Sequence, residues 1–385
     1  MERLSEFQTK YYELQARTAP FKLKTDFETV KTVAIVRILL ERAQNFDAGA
    51  SARGRYGFGV GYTAEECLNA AERYIEALEA GKEPLKGKFT EPGIALVDHS
   101  VIVKDGHVHL FYNRSYPGYE WDTMPTDTVG HAVTEDLVNW KIEPPVISVD
   151  VNMFENYQVW SPGVAEKDGK YFMYYTGVNI NSAQAICLAT SEDLYSWTKY
   201  ENNPVLTPGE WGNWDASRWS DCRDSMVFVD GNGTAYMYYC TCKRDEITNR
   251  YVPAVGIASS KDMVHWKDRG AHVFDICDIA LESPFLLKKD GKYYLFYTNC
   301  GHGTAYAVSD DPVSGWKSLG PIIEGTHGNE SSANVPSCAE VFEFKGKWYI
   351  TCCERLPRFE QYLEIFELKW NADGTAEATE PGMRN

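Results

Sequence analysis

The sequence lacks any apolar run long enough to cross a lipid bilayer. No window approaches the roughly 18 consecutive apolar residues that a membrane-spanning helix needs. The first ten residues, MERLSEFQTK, also lack the apolar stretch of a secretory signal. We therefore expect no membrane association and a cytoplasmic location.

Positive charge is scarce in this chain. Lysine and arginine together number 38 against 55 aspartates and glutamates, which gives a net charge of −17. Such an acidic surface repels a phosphate backbone, so we expect no nucleic-acid partner. A neutral sugar is neither attracted nor repelled by a negative surface, so the net charge is compatible with a carbohydrate substrate.

A metal-ligand pattern is also missing. The ten cysteines do not follow the paired spacing of zinc sites. Cys240 and Cys353 fall on a strand position that holds Thr176 and Thr298 in other repeats of the chain, which predicts small buried side chains there. The sequence thus predicts no metal ligands, with a zinc site or disulfides as the alternative.

The residues that are present divide the chain into two parts. Residues 1–88 carry helical signals, with a capping box at 63–66 and predicted helices near 5–16 and 29–45. Behind the capping box, apolar residues recur at helical spacing at Leu68, Ala71, Ile75 and Leu78. This segment packs either on the main domain, residues 89–385, or on a second subunit, so a homo-oligomer formed through it stays an open alternative.

From residue 98 onward, one unit recurs five times. Each unit has an apolar strand, a polar turn with glycine and an aromatic strand, followed by a third strand that ends in tryptophan. The turn glycines are Gly106, Gly169, Gly233, Gly291 and Gly346. Such units cannot bury a core alone, and stacked radially they close into a propeller. The sequence predicts an all-β, five-bladed β-propeller with an N-terminal α-helical segment, because the alternative, a β-sandwich of hairpins, has no reason to repeat one motif.

One position at the start of each unit concentrates acidic residues. Aligned on the hydrophobic run, this position holds Asp98, Trp160, Asp224, Glu282 and Ser337. The innermost strands of a propeller border its axis, so equivalent positions converge there. Burying like charges together is costly, which favours a functional role over the alternative of surface acids at strand starts. Asp98 lies eight residues before its turn glycine and the others nine, a difference that a shorter turn would absorb.

Three converging carboxyl groups suit the cleavage of glycosidic bonds. That reaction needs a proton donor for the leaving oxygen and a carboxylate near the anomeric carbon. Crowded carboxyl groups split their pKa values, so one of them stays protonated near neutral pH. The trio therefore predicts a glycoside hydrolase that acts on an oligosaccharide.

The motifs around these acids resemble two families of five-bladed propeller glycosidases, family 43 and family 32. Asp98 in DHSVIV resembles the first-blade aspartate of both families. Asp224 in CRDSMVF resembles the Arg-Asp-Pro motif of the invertase group, with Ser225 in place of proline, and Glu282 in LESPFLL resembles the acidic glutamate of both. Residues 130–140 are similar to a first-blade stretch of invertases. The resemblance implies a terminal furanosidic sugar of arabinose or fructose type as the substrate.

The resemblance also implies a role for each acid. Glu282 is expected to protonate the leaving oxygen, and Asp98 to act as nucleophile or as the base that activates water. Asp224 is expected to orient the proton of Glu282 and to bind a sugar hydroxyl. The arabinose group inverts and the invertase group retains configuration, so the stereochemistry stays open.

Five further residues are candidates for contact with the sugar. Trp160 occupies an axial position without an acid and could stack on a sugar face. Trp219 stands with Trp211 and Trp214 in the loop before Asp224, as a sugar platform or as packing anchors. The remaining candidates are Arg223 beside Asp224, His99 beside Asp98, and His302 in a glycine-flanked loop.

Cofactors and alternative functions complete the expectations. We expect no cofactor, and no residue pattern indicates the structural calcium ion that a central channel could hold. A phosphate-dependent glycoside phosphorylase would need a cationic pocket, for which Arg223, Arg114 and Arg218 are the candidates. A non-catalytic carbohydrate-binding propeller would need no acid trio.

Overall fold

The computed structural model describes most of the chain. The described residues are 5–23, 64–80, 89–91, 94–115, 126–273, 280–300, 303–324, 336–355 and 361–379, with six single positions between 33 and 44. None of the described helices is long and apolar enough to cross a membrane.

The described residues of the N-terminal part are helical, as its sequence predicts. Helix α1 (Glu6–Thr18) begins at a capping box in which the Ser5 hydroxyl accepts from the Gln8 backbone N–H at 3.1 Å. A short 3-10 helix (Ala19–Leu23) follows it, and α2 (Ala64–Glu79) buries Leu68, Ala71 and Ile75. Arg17 of α1 pairs with Glu79 of α2 at 2.8 Å. The described positions of the predicted middle helix are helical, whereas residue 63 of the predicted capping box lies outside the described residues.

The remainder forms five four-stranded antiparallel sheets, each built from strands that are consecutive in the chain. Blade 1 contains β1 (Ala95–Lys104), β2 (His107–Ser115), β3 (Thr126–Thr134) and β4 (Trp140–Ser148). Blade 2 contains β5 (Gln158–Lys167), β6 (Lys170–Val178), β7 (Gln184–Ser191) and β8 (Thr198–Lys199). Blade 3 contains β9 (Cys222–Val229), β10 (Ala235–Arg244), β11 (Tyr251–Ser260) and β12 (Lys267–His272).

The last two blades follow the same plan. Blade 4 contains β13 (Leu281–Lys289), β14 (Lys292–Asn299), β15 (Gly303–Ser309) and β16 (Lys317–Glu324). Blade 5 contains β17 (Val341–Phe344), β18 (Lys347–Arg355), β19 (Gln361–Trp370) and β20 (Ala376–Thr379). The five-bladed architecture is confirmed, but the predicted three strands per unit are wrong by one. In blades 1 to 4, the recurring tryptophan opens or immediately precedes a fourth strand, and only in blade 5 does it end the third.

The hydrophobic core lies between the blades, since each sheet is buried on both faces. Alternate residues of β2 face opposite neighbours: Leu110 and Tyr112 pack against blade 5, whereas Phe111 packs against blade 2. The same alternation along the other second strands builds the interfaces between blades 2 and 3, 3 and 4, and 4 and 5. Five apolar layers therefore hold the ring and fix how the inner strands meet at its axis.

The ring closes between its first and last blades. Phe89 precedes blade 1 and exchanges two backbone hydrogen bonds with Leu363 of β19, at 3.3 and 3.0 Å. Its ring lies 5.1 Å from that of Tyr112 and 5.2 Å from that of Trp140. Phe89 thus pins the start of the propeller to blade 5.

Candidate active site

The inner strands of blades 1 to 4 each carry, near their start, a bulge at which two residues oppose one residue of the neighbouring strand, and the same irregularity lies between Ser337 and β17 in blade 5. In β5, for example, the pairing moves from Trp160 opposite Thr176 to Gly163 opposite Tyr174. The first bulged residue adopts left-handed backbone angles in four blades, with φ of 44° to 59° at Ser161, Asp224, Ser283 and Cys338. Such bulges re-aim side chains, and here they turn the start of each inner strand toward the axis.

The register corrects the predicted alignment of the acids. Glu282 pairs with Thr298 just before its bulge, as Trp160 and Ser337 pair in their blades, but Arg223 holds this position in blade 3. Asp224 is the first bulged residue and Asp98 the second. The prediction of one shared position is therefore wrong by one residue at Asp224 and by two at Asp98.

The three acids nevertheless approach one another at the axis, because a bulge lets neighbouring positions share one direction. In blades 2 to 5, the residue before the bulge lies opposite a buried threonine or cysteine, as predicted, and these are Thr176, Cys240, Thr298 and Cys353.

Asp98 is half-buried and accepts hydrogen bonds on both carboxylate oxygens. Asn113 donates to Oδ2 at 3.1 Å, and Ser161 Oγ lies 2.7 Å from the same oxygen. The Cys338 thiol donates to Oδ1 at 2.6 Å. Groups from blades 1, 2 and 5 therefore hold this carboxylate in one orientation.

Asp224 is the most deeply buried of the three acids, with 8% of its surface exposed. Ser161 Oγ lies 2.6 Å from Oδ1, and the Ser283 backbone N–H donates to Oδ2 at 3.3 Å. Burial and, after it, the charge of Asp98 raise the pKa of Asp224 to about 7, against the opposing effect of Arg223. Asp224 therefore carries a proton through much of the neutral range.

Glu282 is held by an arginine and a thiol. Arg223 Nη2 donates to Oε1 at 2.8 Å, and the Cys300 thiol donates to Oε2 at 3.1 Å. Arg223 also forms ion pairs with Asp221 and, through Nε at 3.7 Å, with Asp224. Arg223 therefore links Glu282 to Asp221 and Asp224.

The inner strands enclose a narrow cavity along the axis. Its volume of about 20 Å³ has room for about one water molecule. Asp98, Asp224, His99 and Glu340 line it, and burial raises the pKa of Glu340 to about 7. Among the residues that the structure describes, no group of three or more histidines, cysteines or acids has the arrangement of a metal site.

An aromatic pair lies next to the acids. The ring of Trp160 stands 6.3 Å from that of Trp219, and the Trp219 indole N–H donates to Asp221 at 3.3 Å. Both indoles are half-buried, so each retains surface that a sugar could cover. Trp211 and Trp214 pack instead against the core between blades 2 and 3. Of the three tryptophans in this loop, these two are therefore packing anchors, and Trp219 is the one that lies beside Trp160.

His99 does not have the environment of a sugar ligand. It is 4% exposed, and its ring nitrogens lie 2.7 Å from the Thr351 hydroxyl and 3.1 Å from the Cys353 thiol. Because both nitrogens are engaged inside the seam between blades 1 and 5, His99 would have to give up one of these partners to bind a sugar, and sugar contact at His99 stays a prediction. His302 lies outside the described residues.

Several neighbours of the acids were missed by the sequence analysis. They are Asn113, Ser161, Asp221, Cys300 and Cys338. Only Ser161 carried a visible signal, the Ser-Pro pair that recurs after Trp160 and after Glu282. The other four are brought to the site by cross-strand and cross-blade pairing, which a single unit of sequence does not reveal.

Comparison with known proteins gives these contacts a context. The model of the family described as "Glycosyl hydrolases family 43" matches residues 94–376, which spans the propeller from β1 to the first residue of β20. A xylosidase/arabinosidase from Bacteroides ovatus is 25% identical over 334 residues, covering 74% of this chain and 95% of that protein.

The second resemblance is also confirmed. Vacuolar acid beta-fructofuranosidase 1 from a Rosa hybrid cultivar is 36% identical over 109 residues, which are 27% of this chain and 18% of that protein. Among solved structures, a family-43 β-xylosidase/α-arabinofuranosidase from a compost metagenome, in complex with xylotriose and calcium-free, matches with a TM-score of 0.58. It is 20% identical and covers 77% of this chain and 97% of its own, so the two proteins share the fold.

Proposed function

The chain belongs to glycosyl hydrolase family 43 and is a glycosidase, and from that premise we propose that it removes a terminal furanosidic sugar, of arabinose or fructose type, from an oligosaccharide. The observation that carries the proposal is the linked trio at the axis: Ser161 joins Asp98 to Asp224, and Arg223 joins Asp224 to Glu282. A relative that matches over 95% of its own length is a xylosidase/arabinosidase, which favours arabinofuranosides over fructosides.

The contacts support a division of roles. We propose that Glu282 protonates the leaving oxygen and that Asp98, with its oriented carboxylate, activates water or attacks the anomeric carbon. Asp224, neutral over part of the pH range, is proposed to bind a sugar hydroxyl and to limit the negative charge beside Asp98. Trp160 and Trp219 are proposed to flank the sugar ring, and His302 to contribute from its loop.

Two substitutions separate the roles of Glu282 and Asp98. We expect Glu282→Gln to lower kcat by about 10²–10⁴-fold on aryl arabinofuranosides with a poor leaving group. The loss should be far smaller with a dinitrophenyl leaving group, because that group departs without protonation. Asp98→Asn should lower kcat on both substrates alike, since its carboxylate acts on the anomeric carbon. Product release from aryl arabinofuranosides, aryl xylosides and fructose oligosaccharides measures both effects and ranks the sugars.

The exposed Glu192 provides a matched control, since Glu192→Gln makes the same chemical change far from the axis. It should leave kcat unchanged on every substrate. Near-normal activity of Glu282→Gln on the poor leaving group would refute the assignment of the acid. Stereochemistry is read in the same assay: by family membership we propose inversion, and proton NMR of the first sugar released should show the opposite anomer.

The rival function of a phosphorylase finds no support in the charges around the site. Arg223 is committed to three carboxylates, Arg114 pairs with Glu91 at 2.7 Å, and Arg218 pairs with Asp215 at 3.3 Å. We therefore propose that water, rather than phosphate, accepts the sugar. Turnover that requires added phosphate would contradict this proposal.

We also propose that the reaction needs no cofactor, because two carboxyl groups and a water molecule complete the chemistry. Retention of kcat after treatment with EDTA would support this, and a loss restored by calcium would reveal a structural ion in the channel. Cys187, Cys222, Cys240, Cys242 and Cys353 are free thiols, a state typical of reducing compartments, and on that ground we propose a cytoplasmic location. Cell fractionation tests the location, and light scattering tests a homo-oligomer formed through α1 and α2.

A further inference from the structure

The Ser161 hydroxyl lies between two of the three acids. Its oxygen stands 2.7 Å from Asp98 Oδ2 and 2.6 Å from Asp224 Oδ1. Ser161 is 5% exposed and is the first bulged residue of β5, with a φ of 44°. At these distances both contacts are hydrogen bonds.

The number of protons available restricts how both bonds can form. A hydroxyl group carries one proton to donate and can also accept. If Asp98 and Asp224 were both ionised, one of the two short contacts would join lone pairs to lone pairs in a buried site, which is strongly unfavourable. A proton on one carboxyl group removes the conflict, because that group then donates to Ser161 while Ser161 donates to the other.

The surroundings decide which carboxyl group holds the proton. Asp98 accepts two further hydrogen bonds, from the Asn113 amide and the Cys338 thiol. Asp224 accepts one longer bond from a backbone N–H at 3.3 Å, and its nearest cation, Arg223 Nε, lies 3.7 Å away. The negative charge is therefore better stabilised on Asp98, and the proton belongs on Asp224.

The other groups that face this pair are consistent with that assignment. Glu282 approaches from β13 and adds negative charge near Asp224, while Arg223 offsets part of it. Burial raises the pKa of Asp224 to about 7. His99 and Glu340 line the same cavity from β1 and blade 5, and they interact with each other.

We propose that Ser161 is a positioning residue whose hydroxyl accepts a hydrogen bond from neutral Asp224 and donates a hydrogen bond to ionised Asp98. The directed chain Asp224–Ser161–Asp98 keeps Asp98 charged and aimed while Asp224 stays neutral beside it. This inference deepens the proposed function and rests on it for the catalytic use of Asp98. The protonation pattern itself is independent of any reaction.

The test replaces the bridge without straining the backbone. Ser161→Gly suits a left-handed φ and removes only the hydroxymethyl group. Ser182→Gly is the matched control, because Ser182 also has a left-handed φ, of 64°, and lies in the turn between β6 and β7 rather than on an inner strand. If Ser161→Gly fails to fold by circular dichroism, Ser161→Ala replaces it.

The first readout is spectroscopic and needs no substrate. Infrared difference spectra of the wild type should show a protonated carboxyl band that disappears as the pH rises through about 7, and Asp224→Asn should lack that band. In Ser161→Gly, the disappearance should shift to lower pH by at least about half a unit, because neutral Asp224 loses the acceptor of its proton and two ionised carboxylates no longer compete for one hydroxyl. Ser182→Gly should match the wild type.

The second readout is kinetic. Ser161→Gly should lower kcat by about 10- to 100-fold, the scale of one hydrogen bond to a charged group, with KM changed by less than about threefold. The acidic fall of the pH–rate profile should move to higher pH, because ionised Asp98 loses the hydrogen bond that Ser161 donates to it. A merely structural defect would lower the whole profile without moving it.

The outcomes separate the two proposals. A band that titrates identically in Ser161→Gly and in the wild type would overturn the bridge, and so would a variant profile that falls without shifting. A shifted band in an enzyme that releases no sugar from any substrate would uphold the bridge and refute the proposed function.

Discussion

At the residue scale, the burial of Asp224 at the site makes the stability of the protein depend on pH. Folding places its carboxyl group in a buried site beside Asp98 and Glu282, and its pKa rises to about 7 from about 3.9 in an unfolded chain. The folded state therefore holds a proton that the unfolded state releases between these values. Stability linked to Asp224 is fully present below about pH 4 and is lost as the pH rises through 7.

Asp224→Asn should remove this dependence. The amide is neutral at every pH, so the variant should gain stability over the wild type between pH 5 and 7, by at most about 1.4 kcal/mol per pH unit, with no further gain above pH 8. Urea unfolding at pH 5, 6, 7 and 8 measures the difference. A constant difference across that range would show that Asp224 is ionised throughout.

Asp193→Asn is the control of opposite sign. Backbone N–H groups of Ser196 and Tyr195 lower the pKa of Asp193, so its charged form contributes stability above about pH 4. The variant should be less stable than the wild type at neutral pH, and the two should converge on acidification.

At the element scale, the recurring motifs of the sequence are mostly turn chemistry. Asp136 Oδ1 accepts from the backbone N–H groups of Val138 and Asn139 at 2.9 and 2.7 Å, and the corresponding aspartates of the next three blades make the same pair of bonds, at Asp193, Asp262 and Asp311. These local interactions explain why the repeat could be recognised in the sequence, since each turn is specified by a few adjacent residues.

The parts that sequence did not predict depend on pairing between strands. The bulges of the inner strands depend on the pairing register of two strands, which a single strand's sequence does not show. The sequence therefore placed the acids near the axis but did not predict where each acid lies relative to the bulge of its strand. The fourth strands escaped notice because they lack alternation. In β4, the consecutive prolines Pro144 and Pro145 interrupt the alternation of apolar and polar residues. Strand β8 has only two residues, too few to show any pattern.

The hairpin turns allow a matched test of backbone conformation. Gly169 has a φ of 77°, and a Cβ added there would meet nothing within 4 Å. Gly169→Ala should therefore destabilise the protein by about 1–2 kcal/mol through the left-handed backbone alone. Equilibrium unfolding in urea measures the loss.

Gly231 is the control, because it lies in the turn of the neighbouring blade, is equally open and is not in the left-handed region. Gly231→Ala should be close to neutral. Equal losses at both positions would show that crowding or hydrogen bonding, rather than φ, sets the cost.

At the scale of the whole molecule, the contacts that close the ring between blades 1 and 5 also hold part of the site in place. Each described blade is made of strands that are consecutive in the chain, and among the described residues the segment before blade 1 meets blade 5 through the isolated bridge between Phe89 and Leu363. The seam between blades 1 and 5 is held by the apolar layer around Phe89 and by polar contacts that cross it. The Cys338 thiol reaches Asp98, and the backbone N–H of Val101 donates to Glu340 at 2.6 Å. Opening of this seam would release Asp98 from one of its donors.

Phe89→Ala should open the ring at this seam. Removing a buried phenylalanine costs about 3–5 kcal/mol, and here it also removes the ring packed on Tyr112 and Trp140. Amide hydrogen exchange should accelerate most in β1 and β19, whose ends meet at the seam, and less in β7. Leu206→Ala is the control, since Leu206 likewise forms an isolated bridge, to Ile186, but packs between blades 2 and 3. Its exchange should accelerate in β7 and β9 instead, whereas uniform acceleration in both variants would mean that the propeller unfolds as one unit without a weaker seam.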